Sequence, residues 1–165
     1  MKKEPWDSST EKAKILKLDD FGIFNEVQEM AKPKRTAKNR QEAVIILKEI
    51  AKEGVLTNKT GFKARLSGKT IGKMVSNQAV NTSFNSKAHY LAAANLDYLF
   101  INSIEPWKFE LNPSKNNDGL KDRHYLYSPL ECEGTIMVVK ITVKEYINDR
   151  LENNLYSIEV INTKT

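Results

Sequence analysis

The feature that most constrains this chain is a change of hydrophobic period. Up to about residue 104 apolar residues recur at spacings of three and four, and beyond it they alternate. The first pattern belongs to helices and the second to strands. The clearest strand is Thr135 to Glu145, where Met137, Val139, Ile141 and Val143 alternate with Val138, Lys140, Thr142 and Lys144. Such a strand buries one face and turns the other away. It lies between strand-like runs at Arg123–Leu130 and Asn154–Ile161, joined through the turn Glu131-Cys132-Glu133-Gly134 and a second turn over 147–153. Successive strands with short connections form an antiparallel meander. Trp107–Leu111 reads as a further strand before a Pro/Ser/Asn/Gly loop over 112–121. The expectation is an α+β fold, with N-terminal helices packed on a C-terminal antiparallel sheet of about four strands.

The helical part has legible signals. Residues 14–31 carry a weak period through Ile15, Leu18, Phe21, Phe24, Val27 and Met30, with Gly22 as an interruption. Asn39 can cap a helix carrying Val44, Leu47, Ile50 and Ala51, since Glu42 follows three residues later and Gly54 sits at the end. Val55–Thr57 and Phe62–Leu66 flank Asn58-Lys59-Thr60-Gly61, a hairpin with one apolar and one basic face. A short helix is expected over 69–77, an irregular loop over 78–85, and the longest helix from Ser86 to Ile104. Residues 1–40 read as an N-terminal arm with a basic linker, and 41–165 as the α+β domain. The linker residues Lys32, Lys34, Arg35, Lys38 and Arg40 suit either a solvated connector or a phosphate-contacting arm.

Charge and cysteine content narrow the function classes. The formal charge is +5 with a pI near 9.2, which suits a polyanionic partner. No apolar run is long enough for a membrane span, and the first residues lack the pattern of a signal peptide. Cys132 stands alone, so neither an intramolecular disulfide nor a cysteine-based zinc site is expected. The cytoplasm is the default location, whether of the producing cell or of a target cell. No cofactor is expected, and with two histidines and dispersed carboxylates no metal site is either.

The candidate site residues follow from strand phase. Lys140, Thr142 and Lys144 line one sheet face, two cations and a hydroxyl suited to an anion. That face is equally the ordinary polar side of an antiparallel sheet. Ser157 or Tyr156 joins it, depending on register. Tyr125 and Tyr127 share a face and suit either base stacking or cross-strand packing. His89, on the inward face of the long helix, is either a hydrogen-bonded structural residue or the acid/base group. His124 follows a polar loop and reads as exposed.

The order of segments resembles a phage-associated domain of large polyvalent and MuF-type phage proteins, a group linked to the barnase–EndoU–colicin–RelE (BECR) nuclease fold. The matching residues are Leu56-Thr57-Asn58-Lys59-Thr60-Gly61, Ala64-Arg65-Leu66-Ser67, Ser86-Lys87-Ala88-His89, Asn95-Leu96, Tyr125-Leu126-Tyr127, Gly134, Val139 to Glu145 and Leu155-Tyr156-Ser157. The resemblance implies metal-independent cleavage of RNA by 2′-OH attack, as a toxin-like effector acting on RNA such as tRNA, with a cognate immunity or antitoxin protein as a second partner and no membrane partner. It implies catalytic roles for His89, Lys140, Thr142, Ser67 and Ser157. In that mechanism His89 moves the proton, Lys140 stabilises the phosphorane, and Thr142 or Ser67 donates to a phosphate oxygen. Lys63, Arg65 and Lys144 would hold the backbone while Tyr127 stacks a base. His89 and Lys140 are expected on opposite sides of the sheet, so they converge only if the helix end reaches the sheet edge or the strand phase slips by one. A noncatalytic module that docks nucleic acid or protein, and a structural protein with an incidental basic surface, are the competing readings.

Overall fold

The computed structural model describes residues 9–107, 120–146 and 153–163. Helix α1 (Ser9–Ala13), a 3-10 turn (Leu18–Phe21) and α2 (Phe24–Ala31) come first. The 3-10 turn ends at Gly22, whose φ of +144° is open to glycine and strained for other residues. Helix α3 (Arg40–Lys52) follows. Asn39 caps it by accepting from Glu42 N at 2.9 Å, and the Glu42 carboxylate accepts from Lys38 N at 2.9 Å. Strands β1 (Val55–Thr57) and β2 (Lys63–Arg65) make the hairpin. Four short helices come next: α4 (Ile71–Met74), α5 (Asn77–Thr82), α6 (Ser86–Ala94) and α7 (Leu96–Ile101). The chain closes with β3 (Leu120–Cys132), β4 (Thr135–Tyr146) and β5 (Asn153–Ile161).

The fold class is α+β as expected, with a sheet that is larger and not wholly antiparallel. Its order is β1-β2-β5-β4-β3. The hairpin joins the meander through a parallel contact, Arg65 opposite Asn154, which makes five strands among the described residues. Of the strand expected over Trp107–Leu111, all but Trp107 lies outside the described residues. The loop expected over 78–85 contains α5, capped by Ser76 Oγ accepting from Ala79 N.

The long helix expected over 86–104 breaks at Asn95, and the break has a use. Asn95 Oδ1 accepts from Lys34 N (2.7 Å) and Arg35 N (2.9 Å), while its Nδ2 donates to the carbonyls of Arg35 and Leu91 (2.8 Å each). Arg35 forks onto Asp97 at 2.8 and 3.0 Å. The basic connector is therefore fastened to the α6–α7 junction, and Arg35 serves the fold.

The sheet is covered on both faces. Leu126, Met137, Val139, Ile141, Val143, Leu155, Ile158 and Val160 face the helices α3 to α7 and form the main core with Leu47, Ile50 and Phe100. Alanines 88, 92, 93 and 94 of α6 are buried, and their small side chains seat that helix against α3 and β5. Truncating a large buried residue here, such as Leu47, costs about 2–5 kcal/mol. On the outer face a second cluster joins Tyr125, Tyr127, Val138 and Ile161 to Ala13, Phe21 and Val27. Residues 9–31 thus roof one half of the outer face. No helix among the described residues is long and apolar enough to cross a membrane.

Candidate nucleic-acid interface

The half of the outer face beyond α1 carries the charged residues. The register opposes Tyr127, Lys140 and Glu159 in one row, Tyr125, Thr142 and Ser157 in the next, and Arg123, Lys144 and Asn154 in a third. Between the second and third rows β5 bulges: Thr142 pairs with Ser157, and Val143 pairs with Leu155. Tyr156 is the extra residue. A bulge shifts the alternation by one. Leu155 consequently joins the core with Ile158 and Val160, while Tyr156 and Ser157 line the outer face. Regular alternation would have set Leu155 beside Ser157 and Glu159 instead.

Tyr156 sits where two depressions meet. One, of about 420 Å³, is lined by Arg65, Ser67, Lys69, Thr70, Lys144, Tyr146, Asn154 and Tyr156. The other, of about 280 Å³, is lined by Lys73, Ser76, Thr82, Lys140, Tyr156, Ser157 and Glu159 among others. Lys144 Nζ lies 3.5 Å from the Tyr156 ring centroid and Lys73 Nζ lies 5.1 Å from it. Hydrogen bonding with Lys73, and then the charge of Lys144, holds the Tyr156 phenol below its ordinary range despite partial burial. The same bond raises the Lys73 ammonium. Arg65 Nε is buried and makes no hydrogen bond among the described residues. A buried charged donor without an acceptor is costly until an oxygen arrives. Among the described residues no carboxylate lines the first depression, and Glu159 is the only one lining the second. The described lining of this cleft is therefore electropositive and rich in donors, and it carries two aromatic rings, Tyr146 and Tyr156.

The expected catalytic and nucleic-acid-binding residues divide. Ser67, Ser157, Arg65 and Lys144 line the cleft. Lys63 is exposed on the same face of β2 as Arg65. Ser67 Oγ also caps the turn over 68–70 by accepting from Lys69 N. Lys140 reaches the cleft's edge, but its Nζ is held by Ser9 Oγ (3.0 Å), Thr10 Oγ1 (3.1 Å) and Glu159 (3.3 Å) beneath α1. Thr142 is buried at 6 % exposure.

Two placements correct the expected roles. Tyr127 is fully buried, donates its hydroxyl to Ser9 O at 2.8 Å and meets Trp107 edge-on, so no base can stack on it. His89 is fully buried on the helix side of the sheet and never faces the cleft. Its Nε2 lies 2.9 Å from the Met74 carbonyl, which can only accept, so Nε2 carries the proton. Nδ1 then accepts from Ser83 Oγ at 2.6 Å, and Ser83 Oγ accepts from Val160 N at 2.9 Å. Burial pulls the His89 imidazole below its ordinary pKa, which suits this neutral tautomer. Tyr156 was legible only as one of two alternatives with Ser157, and Lys73 carried no signal because no strand pattern points to it.

His124, expected at the surface, is 9 % exposed and paired with carboxylates on the inner side. An apolar groove of about 540 Å³ lies elsewhere, between the 36–38 segment, α6 and the β3–β4 turn, with Cys132 in its wall. Burial raises the Cys132 thiol to about 11, away from the reactive thiolate. Residues 34–156 match the family model of large polyvalent protein-associated domain 3, and no curated protein and no solved structure matches the chain.

Proposed function

Since that match spans most of the chain, the protein belongs to the large polyvalent protein-associated domain 3 family, a phage-associated domain, and from there we propose that it binds RNA in the outer-face cleft. The observation that carries this reading is Tyr156 held between Lys73 and Lys144, in a depression also lined by Arg65, whose Nε has no partner among the described residues. Lysines and arginine neutralise phosphates, and the Tyr156 ring among them offers a stacking surface. The test is fluorescence anisotropy with a labelled single-stranded RNA and the matching DNA across salt. Lys144→Ala and Arg65→Ala should each weaken binding and each reduce the salt slope by about 0.7, the single-strand value per phosphate contact. No RNA binding at about 50 mM salt by folded protein, where phosphate contacts are strong, would sink the reading.

A second reading, metal-independent cleavage, draws on the lowered Tyr156 phenol. With His89 sealed in the core, Tyr156 is the group at the cleft suited to take the 2′-OH proton. Lys144 and Arg65 would stabilise the phosphorane, and Lys73 would protonate the leaving 5′-oxygen. This keeps the 2′-OH mechanism of the BECR nuclease resemblance and relocates its acid–base chemistry. Incubation of wild type and Tyr156→Phe with tRNA in EDTA decides it: cleavage confined to wild type supports it, and intact tRNA with both leaves binding alone.

A further inference from the structure

The third row of the outer face crosses more of the sheet than the two depressions cover. Arg65 on β2 stands opposite Asn154 on β5, Asn154 opposite Lys144 on β4, and Lys144 opposite Arg123 on β3. Side chains at opposed positions share a face of the sheet. Three cations and an amide therefore lie in a line across the strands. Arg123 ends that line, beyond the residues that line either depression.

Two observations set the row apart from an ordinary solvated sheet face. First, Arg123 Nε is buried and makes no hydrogen bond among the described residues, and the same is true of Arg65 Nε at the other end. A buried charged donor left without an acceptor is costly. Second, Arg123 and Lys144 are like charges at directly opposed positions, which destabilises a ladder. Among the described residues neither meets a carboxylate, and the Lys144 ammonium lies over the Tyr156 ring instead. An anion along the row answers both, with oxygens for the two Nε atoms and negative charge between the cations. Phosphate suits the guanidinium, whose planar fork matches two of its oxygens.

We infer that the RNA chain crosses the β-strands from β2 to β3, and that Arg123 is its third phosphate contact after Arg65 and Lys144. This rests on the RNA reading of the cleft and extends it to the edge of the sheet. Neighbouring strands lie about 4.8 Å apart, so three steps span about 14 Å. At a rise of about 3.4 Å per nucleotide this is a segment of about four nucleotides. The segment is single-stranded, because a base stacks on Tyr156 only when it is free of its own partner.

The experiment is competition of oligouridylates of about two, four and eight nucleotides against a labelled single-stranded RNA, read by anisotropy across salt. The proteins are the full-length wild type, Arg123→Gln, Arg123→Lys and Lys48→Gln, with folding read from near-ultraviolet circular dichroism. Wild type should gain affinity between two and four nucleotides. Arg123→Gln should lose that gain and reduce the salt slope by about 0.7. Arg123→Lys should keep the slope, since the charge remains, and bind more weakly, since the fork is gone. Lys48→Gln removes the same charge from an exposed position on α3 and should leave the slope unchanged. The inference is overturned if Arg123→Gln keeps both slope and length gain while Arg65→Ala and Lys144→Ala lose theirs, and the cleft reading then stands without it. Equal losses in Lys48→Gln would reduce the effect to net charge and overturn it too. No RNA binding by folded wild type sinks both readings. Should Arg123→Gln not fold, wild-type affinity in Arg123→Lys overturns the inference and weaker binding with an unchanged slope supports it.

Discussion

Ser83 Oγ stands 2.6 Å from His89 Nδ1 and 2.9 Å from Val160 N, joining a buried imidazole to the backbone of the edge of β5. The neighbouring Phe84 N donates to Val160 O at 2.8 Å. Residues 83–84 therefore occupy a stretch of β5 that β2 does not reach, and His89 holds them there. Ser83→Ala removes the hydroxyl and leaves both His89 Nδ1 and Val160 N without their partner. It should cost about 1–3 kcal/mol in urea unfolding, the usual penalty for orphaned buried groups, while RNA affinity at folded concentrations stays unchanged.

The neutral His89 also predicts a pH dependence. Its folded pKa lies below the unfolded value, so its contribution is complete above about pH 6.5, the ordinary histidine value, and is lost as pH falls through the folded pKa. His124 works in the opposite sense. Burial alone would lower it, but Glu105 and Glu145 together raise it, so its contribution is complete below the unfolded pKa and lost as pH rises through the folded pKa. The two are separable by subtraction. The urea midpoint of wild type minus that of His89→Gln should shrink as pH is lowered from 7.5 towards 5. A constant difference would mean that His89 is not held neutral.

The Tyr156 phenol should ionise below the ordinary tyrosine range. The absorbance difference between wild type and Tyr156→Phe, followed through alkaline titration, gives its pKa directly. It should fall below 10, the ordinary value. Lys73→Ala should raise it most and Lys144→Ala less, in the order of their influence on the phenol. Equal, unshifted curves would remove Tyr156 as an acid–base group while leaving RNA binding intact.

Arg35 and Asp97 provide the anchor for the connector. The Asp97 side chain is 6 % exposed, and the Arg35 fork is its charge partner. Arg35→Ala should destabilise by about 3 kcal/mol by stranding a buried carboxylate. Arg35→Lys should recover only part of this, because an ammonium cannot make the paired contact. Denaturant midpoints for the three proteins test the order.

Local chemistry was readable wherever a few adjacent residues decide the outcome. The Asn39 cap, the Gly54 stop with φ of +78°, the Glu133–Gly134 turn and the inner face of β4 all stand as the residues indicate. The helix break at Asn95 was not readable, since its cause is the backbone of Lys34 and Arg35, some sixty residues away in sequence. The same holds for the roof over Lys140, supplied by Ser9 and Thr10. Of the site, the basic residues of β2 and β4 were legible from alternation. Tyr156 was not fixed, because a bulge leaves no mark in composition.

That extra residue in β5 has a consequence for how this chain is compared with others. An alignment that treats 153–161 as an uninterrupted strand places a gap freely, and each choice relabels either Leu155 or Tyr156. Deleting Tyr156 would be more than the loss of a phenol. It would rotate Leu155 and everything before it by half a turn, exchanging core for surface, and Arg65 would lose its register with Asn154. In relatives, the length of this segment is a better guide to a preserved cleft than the identity of any one residue within it.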